Sequence, residues 1–184
     1  GNIHDKGLLI LEGYLRHRYA QSFPLSLYAG ICFEQNYGSI DGDSASSAEL
    51  YALLSAIGCF PVRQDIAVTG SVNQMGELQP VGGINEKIQG FYNACRTCGL
   101  TGTQGVIIPY QNKSSLILPY SVEKAVAEKR FHIWAISSID EGLSILSGLE
   151  SGERDRKGNY RNGTFNRLIE DQLRDLWRSS QSQR

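Results

Sequence analysis

Residues 47–58 constrain the fold more than any other part of the chain. Leu50, Tyr51, Leu53, Leu54 and Ile57 are interspersed with Ala48, Ala52 and Ala56, so the helix they predict is apolar almost all round. A helix of that kind is stable when other layers cover it, which places it at the centre of a domain. Gly58 is its expected stop, with Pro61 three residues beyond.

The approach to this helix is equally distinctive. Ile40-Asp41-Gly42-Asp43-Ser44-Ala45-Ser46-Ser47-Ala48-Glu49 gathers small residues, hydroxyls and unpaired backbone N–H groups at one helix N-terminus. Such a turn suits binding an anion, or stabilising one that forms during a reaction. It also suits an ordinary helix start, because Ser46-x-x-Glu49 has the spacing of a capping box.

Elsewhere the pattern alternates between strand and helix. Residues 7–11 are a short apolar run expected as a strand, residues 14–22 are expected as a helix, and Pro24 closes that segment. Residues 25–34 predict a strand with Leu25, Leu27, Ala29, Ile31 and Phe33 on one face, followed by a loop over 35–42. Residues 65–72 predict a strand, and residues 75–81 the return arm of a hairpin around Asn73-Gln74. Gly82-Gly83 breaks the chain before a helix over 84–95, whose stripe is Ile84, Ile88, Phe91, Tyr92 and Cys95. Strands over 105–109 and 131–136 then alternate with helices over 120–129 and 139–146, which favours a mixed α/β (α+β) domain over residues 1–150. Residues 151–184 read as a polar linker and an amphipathic helix marked by Phe165, Leu168, Ile169, Leu173, Leu176 and Trp177, docked on the domain or on a neighbouring subunit.

Several function classes are disfavoured by composition. The 184 residues carry a net charge of -1 and no Lys/Arg stripe, so there is no electrostatic footprint for nucleic acid. No apolar run approaches the ~20 residues of a membrane span and no signal peptide is evident, so a soluble, cytoplasmic protein is expected. Cys95-Arg96-Thr97-Cys98 has metal or redox spacing without a second pair nearby, so the four cysteines are expected as buried or helix-end thiols and no metal is expected. The three histidines, His4, His17 and His132, lie in no recognisable triad context.

A serine hydroxyl needs a base to become a nucleophile. Lys87 lies three residues after Ile84 and four before Phe91, within or beside the stripe that faces the core. Burial and the positive end of a helix would both favour its neutral amine; a packed stem with the amine in water is the alternative. Ser44 as nucleophile with Lys87 as base is chemically coherent, and the backbone N–H groups around Asp43, Ser44 and Ala45 would hold the oxyanion.

At these residues the chain resembles the proteolytic domain of the Lon proteases. The resemblance rests on Asp41-Gly42-Asp43-Ser44-Ala45-Ser46, Val68-Thr69-Gly70, and the run from Gly76 through Gly82-Gly83-Ile84-Asn85-Glu86-Lys87. Val106-Ile107-Ile108-Pro109 with Asn112-Lys113, and residues 7–13, extend it, so that it covers roughly residues 4–149. Aspartate before the serine, with Ala-Ser after it, looks like the B-type (archaeal-like) branch. The resemblance implies a serine endopeptidase acting on unfolded or damaged proteins, with Ser44 as nucleophile and Lys87 as general base. It puts Thr69 on the threonine that orients the lysine, and Asp41 on an acidic position that pairs with the lysine amine as a regulatory contact. It further implies a fold like the second domain of ribosomal protein S5, and a hexameric ring.

The chain departs from the family's full pattern in two ways. It has no Gly-x-x-x-x-Gly-Lys-[Ser/Thr] loop, so ATP and magnesium are implied only for a full-length family member and no cofactor is expected in this chain. It also begins near the family's third strand, so a preceding strand pair is expected to be missing. Two other readings remain at this level. One is a small-molecule kinase-like domain with the serine turn as phosphate cradle, which the paucity of glycines and the presence of Asp41 and Asp43 disfavour. The other is a non-catalytic assembly ring.

Overall fold

The computed structural model describes residues 1–33, 38 and 40–182. Among these residues six α-helices, α1 (Asn2–Tyr19), α2 (Ser46–Gly58), α3 (Ile84–Cys98), α4 (Tyr120–Ala127), α5 (Ile139–Ser147) and α6 (Phe165–Gln181), and a 3-10 turn at Tyr110–Ser115 surround two small sheets. The first sheet is parallel, in the order β1 (Ile66–Val68), β4 (Gly105–Pro109), β5 (His132–Ile136). The second is the antiparallel hairpin of β2 (Ser71–Val72) and β3 (Leu78–Gln79), with Ser71 opposite Gln79 and Val72 opposite Leu78.

Strand alternation divides the interior into two cores. On β4, Ile107 joins the core shared with α1, α2, α5 and α6, whereas Val106 and Ile108 join the core built by α3 and α4. Successive side chains of a strand point to opposite faces, so a central parallel strand with every residue buried needs a layer on each side. The mixed α/β architecture expected from the sequence is present, and the helix over 84–95 and the hairpin around Asn73-Gln74 form where the pattern places them.

Several local expectations are corrected. Residues 7–11 are helical, because Gly7, Leu11, Tyr14, Leu15 and Tyr19 form one buried face of α1 that a five-residue window is too short to reveal. The strand expected over 25–34 is absent from its described part: residues 24–33 hold no regular structure, and Glu34 lies outside the described residues, as does most of the loop over 35–42. Apolar alternation sets which side chains share a face, but a strand also needs a ladder partner, and among the described residues none pairs with this segment. Leu25 and Leu27 pack against the core, but open cavities of about 520 Å³ beside α1 and about 470 Å³ beside Ala52 and Ala56 of α2 lie along the segment. Consequently α2 is not covered on every side: Leu50 and Leu54 are fully buried, while Ala52 and Ala56 are exposed.

The tail is ordered into the same interior. Phe165, Ile169 and Leu173 of α6 are fully buried and belong to the core of α2. Arg154 pairs with the buried Glu170 at 2.9 Å and lies over the Tyr160 ring, which anchors the polar stretch ahead of α6. No described helix is long and apolar enough to cross a membrane.

Candidate active site

The strand expected over 65–72 is interrupted, and the interruption creates the site. Thr69 N–H still donates to Ile107 O of β4 at 3.1 Å, after which the chain leaves the sheet and enters the hairpin. Gly70 N–H donates to Ser44 O at 2.9 Å, and Ser47 N–H donates to Gly70 O at 3.1 Å. The turn before α2 is thereby stitched to residues 69–70 along the backbone. A side chain at Gly70 would crowd this contact, since its Cβ would stand 3.2 Å from Ser47 Oγ and from Leu78 Cδ2.

The turn itself is not the capping box that the sequence suggests. Ala45 is the N-cap of α2 and no side chain caps it. Ser46 instead donates both its N–H (3.0 Å) and its hydroxyl (2.6 Å) to Asp43 O, tightening the turn from within. Glu49 is drawn to His4 of α1, Oε1 to Nε2 2.9 Å, with both side chains largely buried. Among the described residues, the N–H groups of Ser44 and Ala45 donate no hydrogen bond, which leaves donors available at the helix start. Ser44 itself is half-buried and so remains reachable.

Lys87 reaches this turn through Thr69. Its Nζ donates to Thr69 Oγ1 at 3.3 Å, and Thr69 Oγ1 donates to Ser44 O at 3.2 Å. Thr69 is 7 % exposed, so its hydroxyl is fixed in place by the sheet and the turn together. Gly83, in the left-handed region at φ 66°, starts α3 and sets the direction of its first turn. The burial expected of Lys87 is corrected: the residue is exposed, flanking the buried stripe of Ile84, Ile88, Tyr92 and Cys95. Its stem extends past the stripe to the Thr69 hydroxyl, the snorkelling arrangement weighed above.

The acidic residues of the turn take different places from each other. The Asp41 side chain is exposed, and the backbone N–H of Gly42, with those of His4 and Ile3, holds its carboxyl below the usual carboxylate range. It forms no ion pair with Lys87, so the regulatory contact inferred from the resemblance is not made here. The Asp43 carboxylate accepts from the buried Ser71 hydroxyl at 2.9 Å, joining the turn to the hairpin. Neither Ser71 nor the His4–Glu49 pair stood out in the sequence, since both depend on segments brought together only by the fold.

Other expectations about polar residues are partly met. Cys95 is buried, whereas Cys32, Cys59 and Cys98 are exposed, and none is bonded in a disulfide. Asn112, 6 % exposed, donates to Val81 O and accepts from Val81 N–H, both at 3.0 Å, and so fixes the approach to Gly82-Gly83.

Residues 36–146 match the family described as the Lon protease (S16) C-terminal proteolytic domain. The chain is 48% identical over 149 residues to a Lon protease homolog of Escherichia coli strain K12, covering 81% of the chain and 25% of that relative. It is 39% identical over 170 residues to a Lon protease homolog of Haemophilus influenzae, covering 92% of the chain and 28% of the relative. An archaeal Lon protease of Thermococcus kodakarensis is 37% identical over 113 residues, 61% of the chain and 16% of the relative. The chain therefore spans about a quarter of the length of the first two of these relatives.

Proposed function

Because the chain belongs to the Lon protease family, as a C-terminal proteolytic domain of its B-type branch, we propose that it is the peptide-cleaving part of a serine endopeptidase with Ser44 as nucleophile and Lys87 as general base. One observation carries the residue assignment: a single buried hydroxyl, that of Thr69, donates to the Ser44 carbonyl and accepts from the Lys87 amine. Two residues far apart in sequence are thereby held at one point, the base beside the turn that carries the hydroxyl.

The chemistry follows from these groups. The neutral Lys87 amine takes the proton of the Ser44 hydroxyl as its oxygen attacks the scissile carbonyl. The free N–H groups of Ser44 and Ala45 lie where an oxyanion of the tetrahedral intermediate gains most from donors at a helix start. The Lys87 ammonium then protonates the leaving amine, and water releases the acyl group by the same route in reverse. Thr69 keeps the amine aimed at the turn throughout. Since Lys87 is exposed in the single chain, the dry surroundings that favour a neutral amine come from bound polypeptide or from a neighbouring subunit.

The complete protein works in the cytoplasm as a hexameric ring enclosing such sites, with an ATP-driven part outside these residues that delivers unfolded or damaged proteins. The short share of the matched relatives that this chain covers supports this division of labour. Hydrolysis of a fluorogenic peptide by the complete protein, beside Ser44→Ala and Lys87→Ala, tests the assignment. Both substitutions are expected to abolish cleavage with the fold retained, and full activity in either removes that residue from the mechanism.

A further inference from the structure

We infer that Ser71 is a positioning residue of the proposed site: its hydroxyl holds the Asp43 carboxylate against the β2–β3 hairpin and so keeps that charge from pairing with the Lys87 amine. The inference rests on the serine–lysine reading above and adds a residue to it.

The geometry singles out Asp43. It immediately precedes Ser44, and its backbone oxygen is fixed by the N–H and hydroxyl of Ser46. Only its side chain is left to rotate, and among the described residues the one hydrogen bond to that carboxylate comes from Ser71 Oγ at 2.9 Å. Ser71 is 5 % exposed and begins β2, where register with Gln79 fixes the backbone beneath it. Two residues earlier stands Thr69, whose hydroxyl receives the Lys87 amine. The anchor of the carboxylate and the anchor of the amine are thus separated by Gly70 alone.

The other carboxylates around the site are placed without help from Ser71. Asp41 is exposed, its carboxyl held below the usual carboxylate range by the backbone N–H of Gly42 with those of His4 and Ile3 and by the N-terminal charge, Glu49 of α2 is taken by His4 of α1, and Glu86, on the same helix as Lys87, is exposed to water. Asp43 is therefore the acid whose restraint depends on one side-chain hydroxyl. Released, it would offer a carboxylate to the Lys87 ammonium held at Thr69; the other ammonium at the turn, that of Gly1, donates to Ile40 O at 2.6 Å. A lysine paired in that way keeps its proton and cannot act as a base.

The experiment uses the complete protein and reads kcat and KM for a fluorogenic peptide, with the thermal unfolding midpoint measured for every variant. Ser71→Ala is expected to lower kcat about tenfold with KM little changed, the loss of one buried, charge-assisted hydrogen bond. Ser71→Thr restores the hydroxyl and recovers most of the rate. Asp43→Asn placed in the Ser71→Ala background removes the stray charge and also recovers most of it. An unchanged kcat in Ser71→Ala overturns the inference. So does a loss that Asp43→Asn fails to relieve, because a merely structural defect would persist without the charge. Ser44→Ala and Lys87→Ala are run alongside: activity surviving in either overturns the dyad itself, whereas dead dyad variants beside a fully active Ser71→Ala overturn only the role given to Ser71.

Discussion

The Lys87 amine and the Thr69 hydroxyl lie 3.3 Å apart, with the amine donating. The hydroxyl has a single hydrogen, and that hydrogen goes to Ser44 O at 3.2 Å. Thr69 is thus a relay between the first turn of α3 and the turn ahead of α2, and its methyl group and β-branched stem are locked at the exit of β1. Position, rather than burial of the lysine, is what this fold supplies in a single chain.

Thr69→Val tests that relay without changing shape. The variant keeps the branched side chain but leaves the Lys87 amine and the Ser44 carbonyl without their common partner. It is expected to reduce kcat by about ten- to a hundredfold, equivalent to about 1.4–2.7 kcal/mol. Thr69→Ser, which keeps the hydroxyl, is expected to lose far less. Steady-state peptide hydrolysis decides it, and a Val variant as fast as the parent would remove the relay from the mechanism.

The tail offers a test of stability. Phe165 and Ile169 of α6 are fully buried against the core that holds Leu50 and Leu54 of α2. Since α2 carries the serine turn at its start, loosening α6 loosens the support of the site. Phe165→Ala is expected to cost about 3–5 kcal/mol, read from the midpoint of urea unfolding. A cost under about 1 kcal/mol would mean that α6 is not part of the cooperative unit, since surface substitutions fall in that range.

Some parts of the fold are legible in local sequence pattern and others are not. Ser44, Thr69 and Lys87 were selected as one constellation, and their meeting at a single hydroxyl is consistent with that choice. The hairpin and α3 were recoverable because their signals are local: a turn between two apolar arms, and a stripe at helical spacing. The N-terminal third was not recoverable in the same way. Residues 7–11 are too few to separate period 2 from period 3.6, and residues 24–33 alternate like a strand yet find no ladder partner among the described residues. The capping box failed for a tertiary reason, because Glu49 is claimed by His4 from another helix. Lys87 was expected to be dry because its neighbours in the stripe are; one helical position off the stripe was enough to leave it exposed.

Gly105 shows how closely the parallel sheet is built. It faces His132 in the register of β4 and β5, and a Cβ there would lie 2.3 Å from His132 O and 2.6 Å from Trp134 Cζ3. The first of these atoms is backbone and cannot swing aside, so the strands must separate. Gly105→Ala is expected to destabilise the protein by about 1–3 kcal/mol, again by urea unfolding. A neutral result would show that the two strands are free to part at this end.

Asp140 supplies a dependence on pH whose sign can be worked out. It lies in the first turn of α5, pairs with Arg18 at 2.5 Å and accepts from Asn166 Nδ2 at 3.4 Å. Burial raises its carboxyl above the usual carboxylate range, outweighing the pull of Arg18 and Asn166 in the other direction. In the unfolded chain the same carboxyl titrates near the ordinary value of about 3.9. Between that value and its raised folded value, the folded state therefore binds the proton more tightly than the unfolded state. This group adds stability as pH falls through the window and withdraws it as pH rises through it, opposite to a carboxylate whose folded value is depressed. Asp140→Asn cannot titrate there, so the difference in Tm between the parent protein and the variant is expected to shrink with rising pH across the window and then level off. Thermal unfolding of both proteins in a series of acidic to neutral buffers measures it; a difference that grows with pH would mean that the ion pair with Arg18, and not burial, sets the balance at Asp140.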